Sequence, residues 1–155
     1  MILAIDPGNI ESAYAILDEN LKPIDFGKIK NEDLLVKLQT THINNNINHF
    51  AIEMVASYGM AVGETIFETV FWIGRFWGAA TYLGNKQKIY RKDEKMNLCY
   101  TMKAKDSNIR QALIDRFGIV GTKKNQGWFY GVSKDVWSAI AVGVTYHDMY
   151  LKRVK

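Results

Sequence analysis

The chain opens on Met1-Ile-Leu-Ala-Ile-Asp-Pro-Gly8, a short apolar run that ends on an acid and a turn. The run predicts a buried strand, and Pro7-Gly8 predicts that the strand stops there. A carboxylate at the end of a buried strand is costly to desolvate unless a metal ion or a polar ligand compensates its charge. Asp6 is therefore the first candidate for chemistry. It could instead cap the following turn, as Asp before Pro-Gly often does, and these residues alone leave both roles open.

The composition predicts one globular domain over residues 1–155. Of the 155 residues, 48% are apolar and 23% are charged, which is ordinary for a globular protein. The single cysteine, Cys99, excludes an intramolecular disulfide and a Cys-rich zinc site. The N-terminus does not resemble a signal peptide, and the most apolar window, residues 69–83, is too short to span a bilayer. We therefore expect a soluble, cytoplasmic or otherwise intracellular protein that is not secreted and has no membrane partner.

Charge is distributed unevenly along the chain. Residues 1–85 hold 5 Lys and Arg against 10 Asp and Glu, a balance of −5, whereas residues 86–155 hold 15 against 6, a balance of +9. This asymmetry suggests that the second half builds a surface for a polyanion. Scattered, solvated lysines are the alternative that charge alone favours.

Apolar runs and turn residues predict an α/β fold. The first half predicts an antiparallel meander of three strands, over residues 1–6, 12–17 and 22–29. A helix over residues 32–39, with Asn31 as its cap, then leads to a strand over residues 50–55 that can cross over into the same sheet. The second half predicts a strand over 87–90, a basic helix or turn over 91–100, a helix from Asp106 or Ser107 to about Phe117, a loop over 121–131, and a helix capped by Ser133 from 134 to about 151.

Residues 62–83 predict a long helix that is apolar on more than one face. Its large apolar side chains are Ile66, Phe67, Val70, Phe71, Trp72, Ile73, Phe76, Trp77 and Tyr82. A helix with one buried face needs fewer apolar residues than this. A second copy of the chain, related by a two-fold axis, would cover the additional face. Complete burial within one chain is the alternative, and we favour the homodimer.

Three acids occupy positions that can converge. Asp6 ends the first strand, Glu53 lies in the strand after the crossover, and Asp135 lies in the first turn of the last helix. If those two strands are parallel neighbours, Asp6 and Glu53 reach the same end of the sheet and the last helix can lay Asp135 across it. Ala139 and Gly143 share a helix face with Asp135 and would allow a close approach to the sheet.

Carboxylates without His or Cys suit Mg²⁺ or Mn²⁺. Two such ions, about 4 Å apart, can activate a water and stabilise the leaving oxygen in phosphodiester hydrolysis. Each acid also has a structural alternative. Glu53 could pair with a lysine, and Asp135 could favour the dipole at the N-terminus of its helix.

Three segments together resemble a known family. Ala4-Ile-Asp-Pro-Gly8, Ala51-Ile-Glu-Met-Val55 and Asp135-Val-Trp-Ser-Ala-Ile-Ala-Val-Gly143 are similar to the three acidic motifs of RuvC-type Holliday junction resolvases. These enzymes belong to the ribonuclease H/integrase superfamily. The order, the spacing and the total length of the chain fit the resemblance.

The resemblance implies a ribonuclease H-like, five-stranded mixed sheet flanked by helices, in a homodimer with two active sites. It also implies nicking of branched DNA by two-metal hydrolysis with Mg²⁺, for which Mn²⁺ would substitute, in a compartment that contains DNA. Asp6, Glu53 and Asp135 would be the metal ligands. Ser138 stands where the family has a further acid, so it either holds a metal-bound water or weakens the second metal site.

The resemblance further implies a basic residue near the start of the penultimate helix and an aromatic wedge after the second acid. Lys105 is the closest match for the basic residue, with catalytic charge neutralisation as its role, and Lys103 is an alternative. The wedge position is Ala56 here. Tyr58, with Met60 beside it, is the nearest substitute.

The loop Lys123-Lys-Asn-Gln-Gly-Trp-Phe-Tyr130 combines cations with aromatic rings. Lys123 and Lys124 would contact DNA phosphates, and Trp128 would contact unstacked bases, unless Trp128 and Phe129 pack under the loop as core. We expect a Mg²⁺-dependent endonuclease for four-way junctions or other branched DNA. The alternative is a protein that binds branched DNA with weak or no cleavage, because Ser138 replaces an acid.

Overall fold

A five-stranded mixed sheet lies at the centre of the computed structural model, which describes residues 1–44 and 46–152. The strand order is β3-β2-β1-β4-β5. The strands are β1 (Ile2–Asp6), β2 (Glu11–Leu17), β3 (Pro23–Lys30), β4 (His49–Met54) and β5 (Asn85–Tyr90). The first three strands pair antiparallel, whereas β4 runs parallel to β1 and β5 runs parallel to β4. The predicted meander and the crossover into the same sheet are confirmed.

Helices cover both faces of this sheet. They are α1 (Asn31–Asn44), α2 (Glu64–Ala79), α3 (Arg91–Cys99), α4 (Asp106–Phe117) and α5 (Lys134–Tyr146). A 3₁₀ turn, Ala80–Tyr82, follows α2, and a π-helical turn, His147–Leu151, follows α5. Within the described part of the chain, no helix combines the length and the apolar character that crossing a membrane requires. The predicted α/β class and the five-stranded mixed sheet flanked by helices are confirmed.

The central strand β1 is buried on both sides, which explains its unbroken apolar sequence. Leu3 and Ile5 pack into the core between the sheet and helices α1 and α2, whereas Ile2 and Ala4 pack into the core beneath α5. All four side chains are at most 3% exposed. The carboxyl end of β1 is therefore held rigidly, and this end carries Asp6.

Helix α1 differs from the prediction in its start and its length. It runs to Asn44 and not to about residue 39, although Leu34 and Leu38 are buried as the apolar spacing predicted. Asn31 is the first residue of the helix, and its side chain is fully buried. It accepts a hydrogen bond from Ser12 Oγ at 2.6 Å and donates one to the Gly8 carbonyl at 2.9 Å. Asn31 therefore holds the turn after β1.

Helix α5 approaches the sheet closely at Gly143. A Cβ atom at this position would lie 2.6 Å from Leu17 Cδ1 and 3.1 Å from the Ala4 Cβ. Ala139 on the same face is fully buried. The predicted close approach is confirmed, and it positions the N-terminus of α5 over the end of the sheet.

Gly143→Val is expected to destabilise the protein by about 2 kcal/mol, because the added side chain must displace Leu17 or the helix. Chemical denaturation of parent and variant measures the loss. In a Leu17→Ala background the same substitution is expected to cost less, because the new side chain can occupy the vacated space. An equal cost in both backgrounds would contradict the packing described.

Helix α2 leaves one apolar face exposed. Trp72, Ile73 and Phe76 are buried against the sheet, whereas Phe67 is 62% exposed and Phe71 is 59% exposed. Within one chain, the sheet therefore covers one face of α2, and the rings of Phe67 and Phe71 on the other face remain in solvent.

Candidate active site

Asp6 and Glu53 lie side by side at the carboxyl ends of two parallel strands. The pairing of Ile5 with Ile52 places them next to each other, and their carboxyl groups share a hydrogen bond. Burial and the neighbouring Glu53 raise the pKa of Asp6 to about 8. Burial also raises the pKa of Glu53, although the nearby Arg91 opposes this effect. The two groups therefore hold a proton between them at neutral pH, unless a cation replaces it.

The turn that follows Asp6 has its own polar partners. The Gly8 N–H donates to Ser12 Oγ at 3.0 Å, and Asn31 binds the Gly8 carbonyl. Ser12 and Asn31 therefore supply the hydrogen bonds of the turn, and the side chain of Asp6 hydrogen-bonds with Glu53 instead. The capping role that the sequence left open for Asp6 belongs to Ser12 and Asn31.

The next parallel strand adds a cation to this pair. Strand β5 pairs with β4 so that Glu53 lies opposite Ile89, and Arg91 begins α3 directly after β5. Arg91 Nη1 donates to Glu94 Oε2 at 2.6 Å, and Arg91 Nη2 contacts Asp106 at the start of α4. Burial raises the pKa of both Asp6 and Glu53, and the positive charge of Arg91 partly opposes this rise.

Glu94 is a fully buried acid behind this site. Its Oε1 has no hydrogen-bond partner among the described residues, and its side chain is 0% exposed. Burial, and then repulsion from Glu53 and Asp6, raise the pKa of Glu94 well above its usual value, although Arg91 opposes this shift. A buried carboxyl with one free oxygen is costly, so its contact with Arg91 is its main source of stabilisation.

Asp135 reaches the same end of the sheet but has a different partner. Its Oδ2 lies 2.7 Å from Lys28 Nζ on β3, and both side chains are about half exposed. Asp6, Glu11, Lys28 and Asp135 line a cleft of about 190 Å³. Asp135 therefore shares this cleft with Asp6, and its ion pair is with Lys28.

The carboxylate oxygens of Asp6, Glu53 and Asp135 suit a hard divalent cation, although the three carboxylates do not form a preformed cluster. Among the residues that the structure describes, no three Asp, Glu, His or Cys side chains form a ready metal cluster. Asp6 and Glu53 provide adjacent oxygen ligands whose shared proton a cation would displace, and Asp135 lines the same cleft as Asp6. Mg²⁺ and Mn²⁺ suit these oxygen ligands.

A larger cleft of about 570 Å³ lies between α4 and α5. Ser138 and Asp135 line it on the α5 side, together with Lys134. Asp106 and Arg110 line it on the α4 side, and Arg91 at the start of α3 lines it as well. Ser138 therefore lies next to Asp135 on α5, as its spacing requires, and lines the same cleft as Arg91, Arg110 and Lys134.

The other residues predicted to bind DNA lie on exposed segments. The four lysines that were predicted to bind DNA are all exposed: Lys103, Lys105, Lys123 and Lys124. Lys105 immediately precedes α4 and does not line either cleft near Asp6. Their contacts with DNA, and the catalytic role of Lys105, stay predictions.

Two aromatic residues differ in their placement. Tyr58 is 63% exposed at a turn with a positive φ of 49°, and Met60 is 72% exposed beside it. Trp128 instead stacks on Phe117 with ring centroids 5.6 Å apart, and its indole nitrogen is buried. Phe129 is fully buried. Phe129 therefore belongs to the core and the partly buried Trp128 packs on Phe117, whereas contact of Trp128 with DNA stays a prediction.

Sequence reasoning missed Lys28, Arg91 and Glu94. Arg91 and Glu94 are three residues apart and follow a predicted strand end, which was the available signal. The sequence predicted a basic helix or turn for this segment, and the spacing alone does not show that Glu94 is buried. Lys28 carried no local signal, since its partner Asp135 is more than one hundred residues away in sequence.

The fold is similar to that of RuvC from Thermus thermophilus. A structure of T. thermophilus RuvC in complex with Holliday junction substrate aligns with a TM-score of 0.73 and 13% identity, over 99% of this chain and 95% of that one. A second structure of T. thermophilus RuvC aligns with a TM-score of 0.68 and 13% identity, over 97% of this chain and 95% of that one. No protein-family model and no curated protein sequence matches the chain. The chain has the ribonuclease H-like fold of RuvC.

Proposed function

We propose that this protein is a metal-dependent endonuclease that nicks branched DNA such as four-way junctions. The observation that carries the proposal is the paired Asp6 and Glu53 at adjoining ends of parallel strands, in a chain with the RuvC fold. Such a buried acid pair is unfavourable for the metal-free protein, and a bound cation would remove the repulsion. The RuvC structure that aligns over 99% of this chain was determined with a Holliday junction substrate.

In the proposed site, Asp6, Glu53 and Asp135 would hold Mg²⁺ or Mn²⁺. The bound cation would supply an activated water and charge stabilisation for phosphodiester hydrolysis, giving 5′-phosphate and 3′-hydroxyl ends. Asp6 and Glu53 bring their carboxylates from the rigid sheet, so their positions change little on binding. Ser138, which lines the neighbouring cleft together with Asp135, would contribute a neutral hydroxyl suited to orienting a water in place of a fourth carboxylate.

The cleft between α4 and α5 is the proposed path of the cleaved strand. Arg91, Arg110 and Lys134 line it and offer positive charge to phosphates next to Asp135. Lys123 and Lys124 would extend this path along the loop before α5, and Lys103 and Lys105 would extend it along the loop before α4. This arrangement explains why the positive charge of the chain is concentrated in its second half.

We also propose a homodimer through the exposed face of α2, with Phe67 and Phe71 at its centre. Large aromatic rings in solvent are unfavourable, and burying both against a second copy would remove the cost. A branched DNA with two strands to cut suits a dimer with two sites. Sedimentation velocity of the parent and of Phe71→Glu tests this arrangement.

The alternative function is binding of branched DNA with weak or no cleavage. Ser138 favours it, because the hydroxyl replaces a charged ligand, and the contact of Asp135 with Lys28 favours it as well. The discriminating experiment is a panel of four-way junction, fork, flap and linear duplex with Mg²⁺ or Mn²⁺. The proposal expects nicks near the branch point of the junction and none in the duplex. Tight junction binding without nicks in either metal would support the alternative.

Replacing both Lys123 and Lys124 with Gln is expected to weaken junction binding about tenfold at moderate salt. The two lysines lie on an exposed loop, so the loss would come from phosphate contacts and not from unfolding. The plot of log affinity against log salt should become shallower by about two units. An unchanged slope would show that neither lysine contacts a phosphate, and Lys152→Gln provides a control with an exposed lysine elsewhere.

Tyr58→Ala is expected to slow junction cleavage about tenfold and to leave cleavage of a pre-opened junction unchanged. The ring is exposed on a turn in which Gly59 also has a positive φ, so the loop can present it to unstacked bases at the branch point. Tyr82→Ala, which removes another exposed tyrosine, is the control. Equal rates for the parent and Tyr58→Ala on the closed junction would exclude a wedge role for Tyr58.

A further inference from the structure

Each acid of the candidate active site lies near a cation supplied by the protein itself. Lys28 Nζ is 2.7 Å from Asp135 Oδ2 and 4.0 Å from Glu11 Oε2. Lys28 also lines the smaller cleft together with Asp6. On the other side, Arg91 begins α3 directly after β5, the strand that pairs with β4 beside Glu53.

Arg91 cannot leave this position easily. Its guanidinium is held between the buried Glu94 and the exposed Asp106, and its own side chain is 24% exposed. Moving it away would leave Glu94 buried without a partner. Lys28 is less constrained, since its contact with Asp135 is about half exposed. One fixed and one adjustable cation therefore flank the acids.

We propose that Lys28 and Arg91 take the place of a second divalent ion, so that each chain holds one divalent ion at this site. The inference rests on the proposed metal-dependent function and specifies its metal requirement. Two single positive charges equal the charge of one divalent ion. They also lie where repulsion would disfavour a second one.

The residue at position 138 supports this assignment, because a site with one divalent ion does not need a carboxylate where Ser138 stands.

The test is the number of Mn²⁺ ions bound per chain, measured from the electron paramagnetic resonance signal of free Mn²⁺. The parent is expected to bind one ion at the site, and Ser138→Asp is still expected to bind one. Lys28→Gln is expected to bind Mn²⁺ at least about threefold more tightly than the parent, because Asp135 loses its competing partner. Lys30→Gln, two residues along the same strand, is the control and should match the parent.

The double variant Lys28→Gln, Ser138→Asp is expected to bind two ions. Lys28 is exposed on an edge strand, so this variant should fold even if substitution of Arg91 does not. Two ions bound by the parent or by Ser138→Asp alone would overturn the inference and leave the proposed nuclease function standing. The inference would fail in the same way if Lys28→Gln matched Lys30→Gln, or if the double variant bound one ion.

Two further outcomes separate the inference from the proposed function. A parent that binds no Mn²⁺ would overturn both. A parent that binds one ion but cuts no branched DNA in the substrate panel would overturn the proposed function while its metal stoichiometry agreed with the inference.

Discussion

Asp6→Asn is expected to reduce the rate of junction cleavage on the order of 10³-fold, because it removes a charged metal ligand from the centre of the site. Junction affinity, measured by fluorescence anisotropy in Ca²⁺, should stay within about threefold of the parent or improve, since a negative charge near the phosphate is lost. Single-turnover cleavage in saturating Mg²⁺ provides the rate.

Asp115→Asn is the matched control for this substitution. It makes the same chemical change at an exposed position on α4. Its cleavage rate should equal that of the parent. If Asp6→Asn cleaved within tenfold of the parent, Asp6 would not be an essential metal ligand.

The same substitution is expected to stabilise the metal-free protein at alkaline pH. Asp6 has a pKa of about 8 in the folded protein against an ordinary value of 3.8. Between these values the folded protein binds more protons than the unfolded chain, so its stability is greatest below the lower value and falls as pH rises toward 8. A full shift of this size corresponds to a loss on the order of 5 kcal/mol. Asp6→Asn should remove at least about 2 kcal/mol of the loss.

Urea denaturation in EDTA at pH 5 and pH 8 measures this effect. The parent should lose stability between the two pH values, Asp115→Asn should lose as much, and Asp6→Asn should lose less. Added Mg²⁺ should restore stability to the parent at pH 8 and have less effect on Asp6→Asn. Identical losses in the parent and Asp6→Asn would show that the acid pair is not under electrostatic strain.

The slower cleavage and the higher stability at alkaline pH that we expect for Asp6→Asn have a common cause. The position of Asp6 beside Glu53 is unfavourable in the metal-free protein and useful only when a cation is bound. Catalytic sites often retain such locally unfavourable groups, which the surrounding fold stabilises. Here the surrounding fold is the rigid central strand and the turn held by Ser12 and Asn31.

The sheet and its acid pair could be predicted from the sequence because their signals are local. The apolar run of β1 ends sharply at Asp6, and the helix between β3 and β4 implies a parallel return. These two facts place Glu53 beside Asp6. The small residues Ala139 and Gly143 similarly predicted that α5 packs closely on the sheet.

The partners of the acids could not be predicted, because they depend on long-range packing. Lys28 meets Asp135 only because β3 is an edge strand and α5 begins above it. The pair of Arg91 and Glu94 is local, but its burial depends on α4 and α5 covering α3. The stacking of Trp128 on Phe117 could not be predicted for a similar reason, since it is a tertiary contact.

Cleavage of a supercoiled plasmid that extrudes a cruciform tests the central claim most directly. With Mg²⁺ or Mn²⁺, the parent is expected to convert the plasmid to nicked and linear forms, with cuts mapping to the base of the cruciform, whereas Asp6→Asn leaves it supercoiled. A parent protein that leaves the plasmid intact in both metals, or an Asp6→Asn variant that cuts as fast as the parent, would contradict the account.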